Sequence, residues 1–505
     1  MGLRWMVRLL LVLLLWPIAA AATTPPRAEA GLPFLRNYTP REYAAHGQNW
    51  AVVQDARGIV YAGNNDGVLE FDGERWRLIR TEKRTVVRAL AVGADGHVYV
   101  GAMGEIGRLE PDARGEMHYV SLLDRLAPAD RAFDDVHHIF VRGEDVFFAT
   151  YARLIRLRGG DARSWTPGSA FHRAFMARDR LFIRERDRGL MELVGDELSL
   201  VAGGEPMAVQ RVDLVLPWGD GDGLLVGSRD SGLFVLEGGP LRPLESAAND
   251  ALIRAMVYSG ARLPDGTYAL GTFQGGVYFL DGAGRLRGRL DKSRGLQDDT
   301  VLGMTVDRQG GLWLALDRGL SRVETDLPLT RFDERSGLNG TVLSLHRHGG
   351  VLHAGTAQGL FRLQPGADAR FVPVAGLRGQ TYAFQSVGDD LLVGNNDGTF
   401  LVRGDQVTQL QQGVTGTTTA LLASSAVAGR VYVGLWDGLA VLQHDGTRWV
   451  DEGRVPGVDL TVSSLVEDTD GRLWIGTWNH GVARLQFDTD ADGRLRVVAQ
   501  DRYGD

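Results

Sequence analysis

The side chains that could bind a ligand are amides, guanidinium groups and indoles that recur at equivalent turns along the chain. Tight turns need Gly, Asp or Asn but have no need of Trp or Arg. These groups are therefore free to donate hydrogen bonds to a small polar ligand, such as an oligosaccharide, and to stack on it. Stacking is expected above all from the three tryptophans among the predicted binding residues, which are Trp50, Asn64, Asn65, Arg88, Arg229, Gln274, Asn395, Trp436, Trp478, Asn479 and His480.

Paired carboxylates form a second group of residues that could do chemistry. They occur at 134–135, 298–299 and 389–390, and a glycosidase needs two carboxyl groups about 5 to 9.5 Å apart across its substrate. Because loops could supply that spacing, a secreted glycoside hydrolase or polysaccharide lyase stays open as an alternative. The motifs of serine hydrolases, zinc proteases and P-loop proteins are absent. We predict no catalytic residue, no metal site and no cofactor.

Two further patterns resemble metal sites without meeting their requirements. His137 and His138 are adjacent, and adjacent strand residues point to opposite faces. This predicts histidines in a core or lining a channel rather than a two-histidine clamp. The segment 488–493 begins like a calcium loop, but its twelfth position is Ala499, where a bidentate Glu is required. We interpret it as a hairpin turn.

Charge and composition exclude several classes of partner. The 505 residues include 55 Lys and Arg against 63 Asp and Glu, a net charge of −8. The chain thus lacks the basic character that nucleic-acid binding requires, and we predict no nucleic-acid partner. It has no cysteine, which excludes disulfides, thiol catalysis and Cys-ligated metals. Its 67 glycines are about twice the usual share and indicate frequent turns.

The N-terminal segment has the features of an export signal. Arg4 and Arg8 flank the start of an apolar run, residues 9–18, which is followed by the small residues 19–22. We predict a signal peptide over residues 1–22 and a periplasmic location for the remainder. An uncleaved membrane anchor is the alternative, although so short a run is marginal for crossing a bilayer.

A repeat of about 41 residues runs through the rest of the chain. Each copy has alternating apolar and polar residues, a Gly or Asp turn, and a second alternating run that ends in a small residue, as in residues 87–101, 301–315 and 462–476. This period is typical of one four-stranded antiparallel propeller blade, whereas a helical repeat needs apolar residues every 3.6 positions. The predicted fold is therefore all-β, with tandem β-propellers.

Eleven copies can be counted, which exceeds the four to eight blades of an ordinary propeller. We predict a first propeller of seven blades over residues 23–330 and a second, incomplete propeller of about four blades over residues 331–505. A closed four-bladed second ring is the alternative. The turns after the second strand of each blade carry varied polar residues, whereas the turns before it are nearly uniform. Since the varied turns lie on one rim, the predicted binding residues should share that rim.

The repeats resemble those of the two-component regulator propeller family. The resemblance rests on residues 306–315 and 466–477, and on the opening segments 37–43, 48–50 and 64–67. It implies the extracytoplasmic part of a bacterial receptor. Full-length members usually carry two seven-bladed propellers, a triple-tyrosine domain, a membrane helix and a histidine kinase, diguanylate cyclase or DNA-binding output. None of those output modules can be found in this sequence.

The resulting hypothesis is a periplasmic ligand-sensing region that binds a small polar ligand, such as an oligosaccharide. The resemblance alone supplies the sensing role, an inner-membrane tether and a homodimer for the full-length protein. Two rival functions stay open: the secreted propeller enzyme described above, and a non-catalytic interaction scaffold.

Overall fold

The computed structural model describes residues 29–366, 368–411, 416–489 and 494–504. The predicted signal peptide lies outside these residues. Within them, nearly all regular structure is strand. The alternation of apolar and polar residues favours strands, because successive side chains of a strand point to opposite faces of the sheet. The all-β prediction is confirmed. In the described part of the chain, the strands form eleven four-stranded antiparallel sheets.

Seven of these sheets follow one another from residue 35 to residue 323, and each is built from consecutive strands except the seventh. Their strands are β1 (Leu35–Tyr38), β2 (Asn49–Gln54), β3 (Val60–Asn64), β4 (Gly67–Phe71), β5 (Trp76–Ile79), β6 (Val87–Val92), β7 (Val98–Ala102), β8 (Glu105–Pro111), β9 (Met117–Ser121), β10 (His138–Arg142), β11 (Asp145–Ala149), β12 (Leu154–Arg158), β13 (Asp161–Trp165), β14 (Phe171–Ala177), β15 (Arg180–Glu185), β16 (Gly189–Val194), β17 (Glu197–Leu200), β18 (Leu214–Pro217), β19 (Leu224–Ser228), β20 (Gly232–Leu236), β21 (Arg242–Pro243), β22 (Val257–Arg262), β23 (Tyr268–Thr272), β24 (Val277–Leu280), β25 (Leu286–Leu290), β26 (Val301–Val306), β27 (Leu312–Leu316) and β28 (Gly319–Val323).

The other four sheets follow in the same way from residue 342 to residue 503. Their strands are β29 (Val342–His348), β30 (Val351–Thr356), β31 (Gly359–Gln364), β32 (Arg370–Arg378), β33 (Thr381–Val387), β34 (Asp390–Asn395), β35 (Gly398–Arg403), β36 (Gln406–Gln409), β37 (Thr418–Ala423), β38 (Arg430–Leu435), β39 (Gly438–His444), β40 (Trp449–Arg454), β41 (Val462–Glu467), β42 (Leu473–Thr477), β43 (Val482–Thr489) and β44 (Leu495–Tyr503).

Helices are few and short. The α-helices are α1 (Pro40–Tyr43) and α2 (Asn249–Ala255), and the 3-10 turns are Leu123–Arg125, Pro128–Asp130, Glu205–Ala208, Lys292–Arg294 and Glu334–Ser336. Among the residues that the structure describes, no helix has the length and apolar character needed to span a bilayer.

The seventh sheet joins the two ends of the first group. Strand β1 pairs antiparallel with β28, so that Tyr38 lies opposite Leu320. The seventh sheet also packs on the first, where Trp313 and Val52 lie in one buried cluster. Asn49 Nδ2 donates to the carbonyl of Gly319 at 2.9 Å. Pairing between distant parts of the chain thus removes the open edges that a linear row of sheets would leave.

The sheets of the second group pack in the same order along the chain. In the first and last sheets of this group, however, apolar side chains of the innermost strand are exposed: Leu345 on β29 is 60% exposed and Val466 on β41 is 61% exposed. These two faces are not covered by the described residues. The predicted domain boundary at 330 and 331 falls between β28 and β29, and the division into seven and four blades stays a prediction.

Glycines at the ends of the second strands let adjacent sheets approach closely. A Cβ added to Gly101 would lie 2.5 Å from the Cγ1 of Val136, which immediately precedes the next sheet, and one added to Gly434 would lie 2.5 Å from the Cγ1 of Val462 in the next sheet. Real Cβ atoms do not approach so closely in a packed interior. The repeated glycine of the sequence pattern therefore serves packing between blades.

Candidate ligand-binding site

A cavity of about 680 Å³ lies at the centre of the first seven sheets. It is lined by residues of the seven innermost strands, β2, β6, β10, β14, β18, β22 and β26, and by a few residues from the ends of the second strands. Its volume falls in the range of about 300 to 1,000 Å³ that is typical of small-molecule sites.

Bulges at the start of the inner strands aim particular side chains at this cavity. The pairing of β2 with β3 shifts between Asn49 and Ala51, which leaves Trp50 as an extra residue. The same shift occurs around Arg88 in β6 and around Tyr258 in β22. A bulge breaks the alternation of side chains and redirects the extra residue. Each of these three residues lines the cavity.

Trp50 and Arg88 form a stacked pair at the cavity. The guanidinium carbon of Arg88 lies 4.0 Å from the centroid of the indole ring, a geometry that favours a cation–π interaction. The indole Nε1 of Trp50 donates to Asn65 Oδ1 at 2.8 Å, and Asn65 Nδ2 donates to Gln48 Oε1 at 3.0 Å. Asn65 thus holds the orientation of Trp50.

Arg173 reaches across the cavity from the bulge in β14. It donates to the backbone carbonyl of Tyr258 at 2.7 Å, and its other terminal nitrogen lies 3.1 Å from His138 Nε2. Its guanidinium carbon is 4.2 Å from the centroid of the Tyr258 ring. Because only 9% of this residue is exposed, the position of its charge is well defined.

Arg229 is paired with a carboxylate. Its Nε donates to Asp213 Oδ1 at 3.0 Å, and its backbone N donates to Asp213 Oδ2, also at 3.0 Å. The side chain of Asp213 is fully buried. Although burial alone would lower the pKa of Arg229, the hydrogen bond and charge of Asp213 outweigh burial, so that the pKa is raised. The positive charge of Arg229 is therefore largely neutralised within the protein.

Three histidines line the same cavity, namely His137, His138 and His172. Burial, reinforced by the charge of Arg173, lowers the pKa of His137 to about 3. Burial and the same arginine hold the pKa of His138 well below its usual value. For His172 burial is again the largest cause, and the pKa falls to about 4. All three imidazoles are therefore neutral at pH 7.

The prediction that His137 and His138 line a channel agrees with this placement, but the expectation that they point to opposite faces is wrong. Their Nδ1 atoms lie 2.8 Å apart. The reason is local: β10 begins at His138, which pairs with Ala149, and the backbone N of His137 donates to the carbonyl of that same Ala149. Strict alternation therefore does not apply to the pair.

Several buried polar atoms at the cavity have no hydrogen-bond partner among the described residues. They are Arg88 Nε, His137 Nε2 and His172 Nδ1 in the lining, and Asp135 Oδ1 beside Arg88. Arg88 Nε does lie 3.2 Å from Asp135 Oδ2 as an ion pair, but in a direction unsuited to a hydrogen bond. Buried polar groups in proteins are rarely left unpaired, so these atoms are available to hydrogen-bond with a polar ligand in the cavity.

The remaining predicted residues of the first group of sheets do not face the cavity. Asn64 is fully buried, and its Nδ2 donates to the carbonyl of His46 at 2.7 Å and to Asn49 Oδ1 at 2.8 Å. These hydrogen bonds hold the loop around Asn64, so its side-chain amide is not available to a ligand in the cavity. Gln274 is exposed beside Phe273, and Phe273 rather than Gln274 lines the cavity.

The predicted residues of the second group of sheets fall into two classes. Asn395 is 1% exposed and accepts from the backbone N of Asp397 at 2.7 Å, so it acts in its turn. Trp436 and Trp478 are exposed and lie together, with ring centroids 5.8 Å apart and an interplanar angle of 45°. Asn479 and His480 are exposed next to Trp478. The tryptophans predicted to stack on a ligand therefore lie in two places: Trp50 lines the cavity, and Trp436 lies beside Trp478 in the second group of sheets.

The sequence analysis did not identify His172, Arg173, Tyr151 and Tyr258 as cavity residues. It predicted Gln274 as a binding residue, whereas its neighbour Phe273 lines the cavity. A signal for some of them exists in the repeat. The residue that follows the first apolar residue of each inner strand is Arg in 87–89 and Tyr in 257–259. Aligning the copies on that position, rather than on the turns, finds the bulged residues. In the described part of the chain, no cluster of three metal-ligating side chains occurs.

Comparisons with known proteins agree with the fold and with the repeat. Residues 456–479 match the family model of the two component regulator propeller, and this confirms the resemblance expected from the sequence. No curated protein matches the chain at a significant level.

Two of the solved structures that match this chain are extracellular domains. The extracellular domain of BT3049, described as a hybrid two component system of B. thetaiotaomicron, superposes with a TM-score of 0.66 at 15% identity, over 93% of this chain and 67% of that one. The extracellular domain of BT4673, described as a one component system of the same organism, superposes with a TM-score of 0.48 at 15% identity, over 93% and 73% of the two chains. At such identities the likeness concerns the fold alone.

Proposed function

We propose that this chain is the ligand-sensing region of a two-component-type signalling receptor, and that it binds a small polar ligand, an oligosaccharide, in the cavity of the first seven sheets. The observation that carries the proposal is the cavity itself, because its wall combines aromatic faces with guanidinium groups and unpartnered ring nitrogens. Such a lining suits a hydroxylated ring that presents one apolar face and several hydrogen-bonding groups.

The sensing role and the location form part of the same proposal. The family model describes a regulator propeller, and the solved structure with a TM-score of 0.66 is the extracellular domain of a two component system. These findings support an extracytoplasmic, periplasmic position. Ligand binding would then shift the population of states of an output module, a histidine kinase, a diguanylate cyclase or a DNA-binding domain, through an inner-membrane tether and a homodimer.

The described acidic residue in the cavity wall, Asp213, and the one beside the wall, Asp135, do not favour the enzyme alternative. Asp213 is fully buried and paired with Arg229, so it is not free to act as an acid or a base. Asp135 lies 3.2 Å from Arg88. A glycosidase needs two carboxyl groups facing one substrate from opposite sides, and these two are each engaged by an arginine.

The proposal is tested by thermal unfolding of the purified chain with a panel of neutral and acidic oligosaccharides. A ligand present at about a hundred times its Kd stabilises the native state by about 2.7 kcal/mol, which should raise the midpoint by at least about 3 °C. The shift should disappear in Trp50→Ala. If no saccharide shifts the midpoint, the chain is better described as an interaction scaffold, and if cleaved products accumulate, it is an enzyme.

A further inference from the structure

We infer that the ligand of this cavity is a saccharide that carries an acidic group, such as a uronic acid, and that Arg88 and Arg173 bind that group. The inference deepens the proposed function and rests on it. It adds a chemical class of ligand and assigns the anion-binding side chains.

The cavity wall is positively charged within an acidic protein. Its arginines are Arg88, Arg173, Arg211 and Arg229, and Asp213 is its one carboxylate among the described lining residues. The chain as a whole has a net charge of −8. The positive charge arises because carboxylates are scarce in the lining: one described lining residue is acidic, whereas the whole chain has 63 Asp and Glu against 55 Lys and Arg. A concave site with charge of one sign attracts ligands of the opposite sign and repels like charges.

The four arginines differ in how far the protein itself neutralises them. Arg229 donates directly to Asp213. Arg173 instead donates to a neutral backbone carbonyl, that of Tyr258, and contacts the neutral imidazole of His138. Its Nη1 lies 3.9 Å from Asp213 Oδ1, beyond hydrogen-bonding distance. Burying an incompletely paired guanidinium group is costly, and a bound carboxylate would offset that cost.

Arg88 is the more accessible of the two proposed anion-binding residues. Its side chain is 31% exposed, and its Nε lies 3.2 Å from Asp135 Oδ2. The stacking of its guanidinium plane on Trp50 fixes that plane while leaving its edge open. An edge held in this way can donate two parallel hydrogen bonds to a carboxylate. Stacking also reduces the conformational freedom that Arg88 would lose when it binds.

The two arginines act on one region of the cavity. Burial is the largest cause of the lowered pKa of His137, and the charges of both Arg173 and Arg88 contribute to it. His137 therefore lies within electrostatic reach of both guanidinium groups. Its Nε2 atom has no partner among the described residues. As a neutral ring nitrogen it can donate to or accept from a sugar hydroxyl beside the acidic group.

Aromatic faces around this region favour a saccharide over a bare inorganic anion. The ring of Tyr151 is 43% exposed and lies 4.8 Å from His137 between ring centroids. The ring centroids of Tyr258 and Phe273 lie 4.4 Å apart, and the guanidinium carbon of Arg229 is 5.1 Å from the Phe273 ring. Flat apolar faces beside hydrogen-bonding groups match the two kinds of surface on a pyranose ring, whereas sulfate or phosphate would use the cations alone.

The test compares D-glucuronate and D-galacturonate with glucose and galactose, and with sodium sulfate, by isothermal titration calorimetry at constant ionic strength. We expect each uronate to bind at least about tenfold more tightly than its neutral parent and than sulfate, because only the uronate uses both the arginines and the aromatic faces. Arg88→Gln and Arg173→Gln should each remove most of that preference. Arg173→Lys, which keeps the charge, should retain part of it if Arg173→Gln proves unstable.

Arg114→Gln is the matched control, because Arg114 lies on an exposed turn of the same sheet as Arg88 and should bind as the unchanged chain does. Equal binding of uronates and neutral sugars would overturn the acidic-ligand inference and leave the proposed function standing. Binding of sulfate as tightly as uronate would overturn the saccharide class. If none of the sugars binds, the acidic-ligand inference is wrong, and the oligosaccharide panel decides the proposed function separately.

Discussion

The guanidinium carbon of Arg88 lies 4.0 Å from the centroid of the Trp50 ring, although the two residues are 38 positions apart and belong to different sheets. Each is the extra residue of a bulge at the start of an inner strand. Equivalent positions of neighbouring repeats therefore meet at the cavity. Changing the residue at this position changes the ligand surface without altering the pairing that holds the sheet together.

Trp50→Ala should weaken oligosaccharide binding by about tenfold, because buried aromatic stacking surfaces carry a large share of binding energy. The substitution also removes the face on which Arg88 rests. Isothermal titration calorimetry with a ligand found in the panel measures the change. Trp165→Ala, on the outermost strand of the third sheet, provides the comparison. A similar loss in that variant would mean that tryptophan removal acts through general destabilisation.

Asp213→Asn should destabilise the protein by about 3 kcal/mol, since it leaves Arg229 buried without its counter-charge. Asp213 accepts from both the side chain and the backbone of Arg229. Urea unfolding followed by circular dichroism gives the midpoint and the slope. The exposed neighbour Asp230 supplies the control Asp230→Asn, which should change stability by less than about 0.5 kcal/mol. Equal effects in the two variants would contradict the buried pair.

Stability should decrease as the pH falls from about 6.5 to about 4, before most carboxylates titrate. In the folded chain, burial first and then Arg173 lower the pKa of His137 to about 3, and the pKa of His172 falls to about 4. The unfolded chain therefore binds protons in this range that the native chain does not, and the free energy of unfolding rises with pH.

The charged groups that act on His172 are Arg173, Arg184 and Arg211, which disfavour its imidazolium form, and Asp213, which favours it. Thermal unfolding at half-unit steps between pH 4.5 and 7.5 measures the slope. His172→Gln should flatten the profile, whereas His118→Gln, at an exposed position, should leave it unchanged. A profile that stays equally steep in His172→Gln would show that other groups cause the dependence.

Gly101→Ala should destabilise the protein by about 1 to 3 kcal/mol through overpacking. The added Cβ would lie 2.5 Å from Val136 Cγ1 and 2.8 Å from its Cβ, so the second and third sheets would have to separate. Chemical denaturation measures the loss. Gly160 has open space at the same atom and no left-handed φ, so Gly160→Ala should be neutral or slightly stabilising. A neutral Gly101→Ala would disprove the close-approach role of this glycine.

Trp436→Ala should leave ligand binding in the cavity unchanged, because Trp436 packs beside Trp478 in the second group of sheets. Its side chain is 51% exposed, so the unfolding midpoint should move by less than about 1 °C. If the pair is a second stacking surface, the variant should lose weak binding of neutral glycans in saturation-transfer NMR. A changed affinity at the cavity would instead show that the two tryptophan sites are coupled.

Sequence alone predicted the repeat and the all-β class, whereas a single binding rim stays a prediction. It reached Trp50 and Arg88 because unusual residues stand out against a regular pattern. It selected Asn64 and Asn395 for the same reason, yet both amides are buried and bonded to their own loops. An amide in a turn has the same sequence signature whether it serves the backbone or a ligand. Only its partners distinguish the two uses.

Periodicity by itself determined the strands of this protein, because the side-chain period of two and the repeated Gly and Asp turns act over a few residues at a time. Only the tertiary structure decided which side chains meet. Arg173 lies beside Tyr258 and His138 because bulges redirect the side chains of Arg173 and Tyr258 and because seven sheets bring the starts of their inner strands to one cavity. Such contacts join residues far apart in the chain, and no local pattern encodes them.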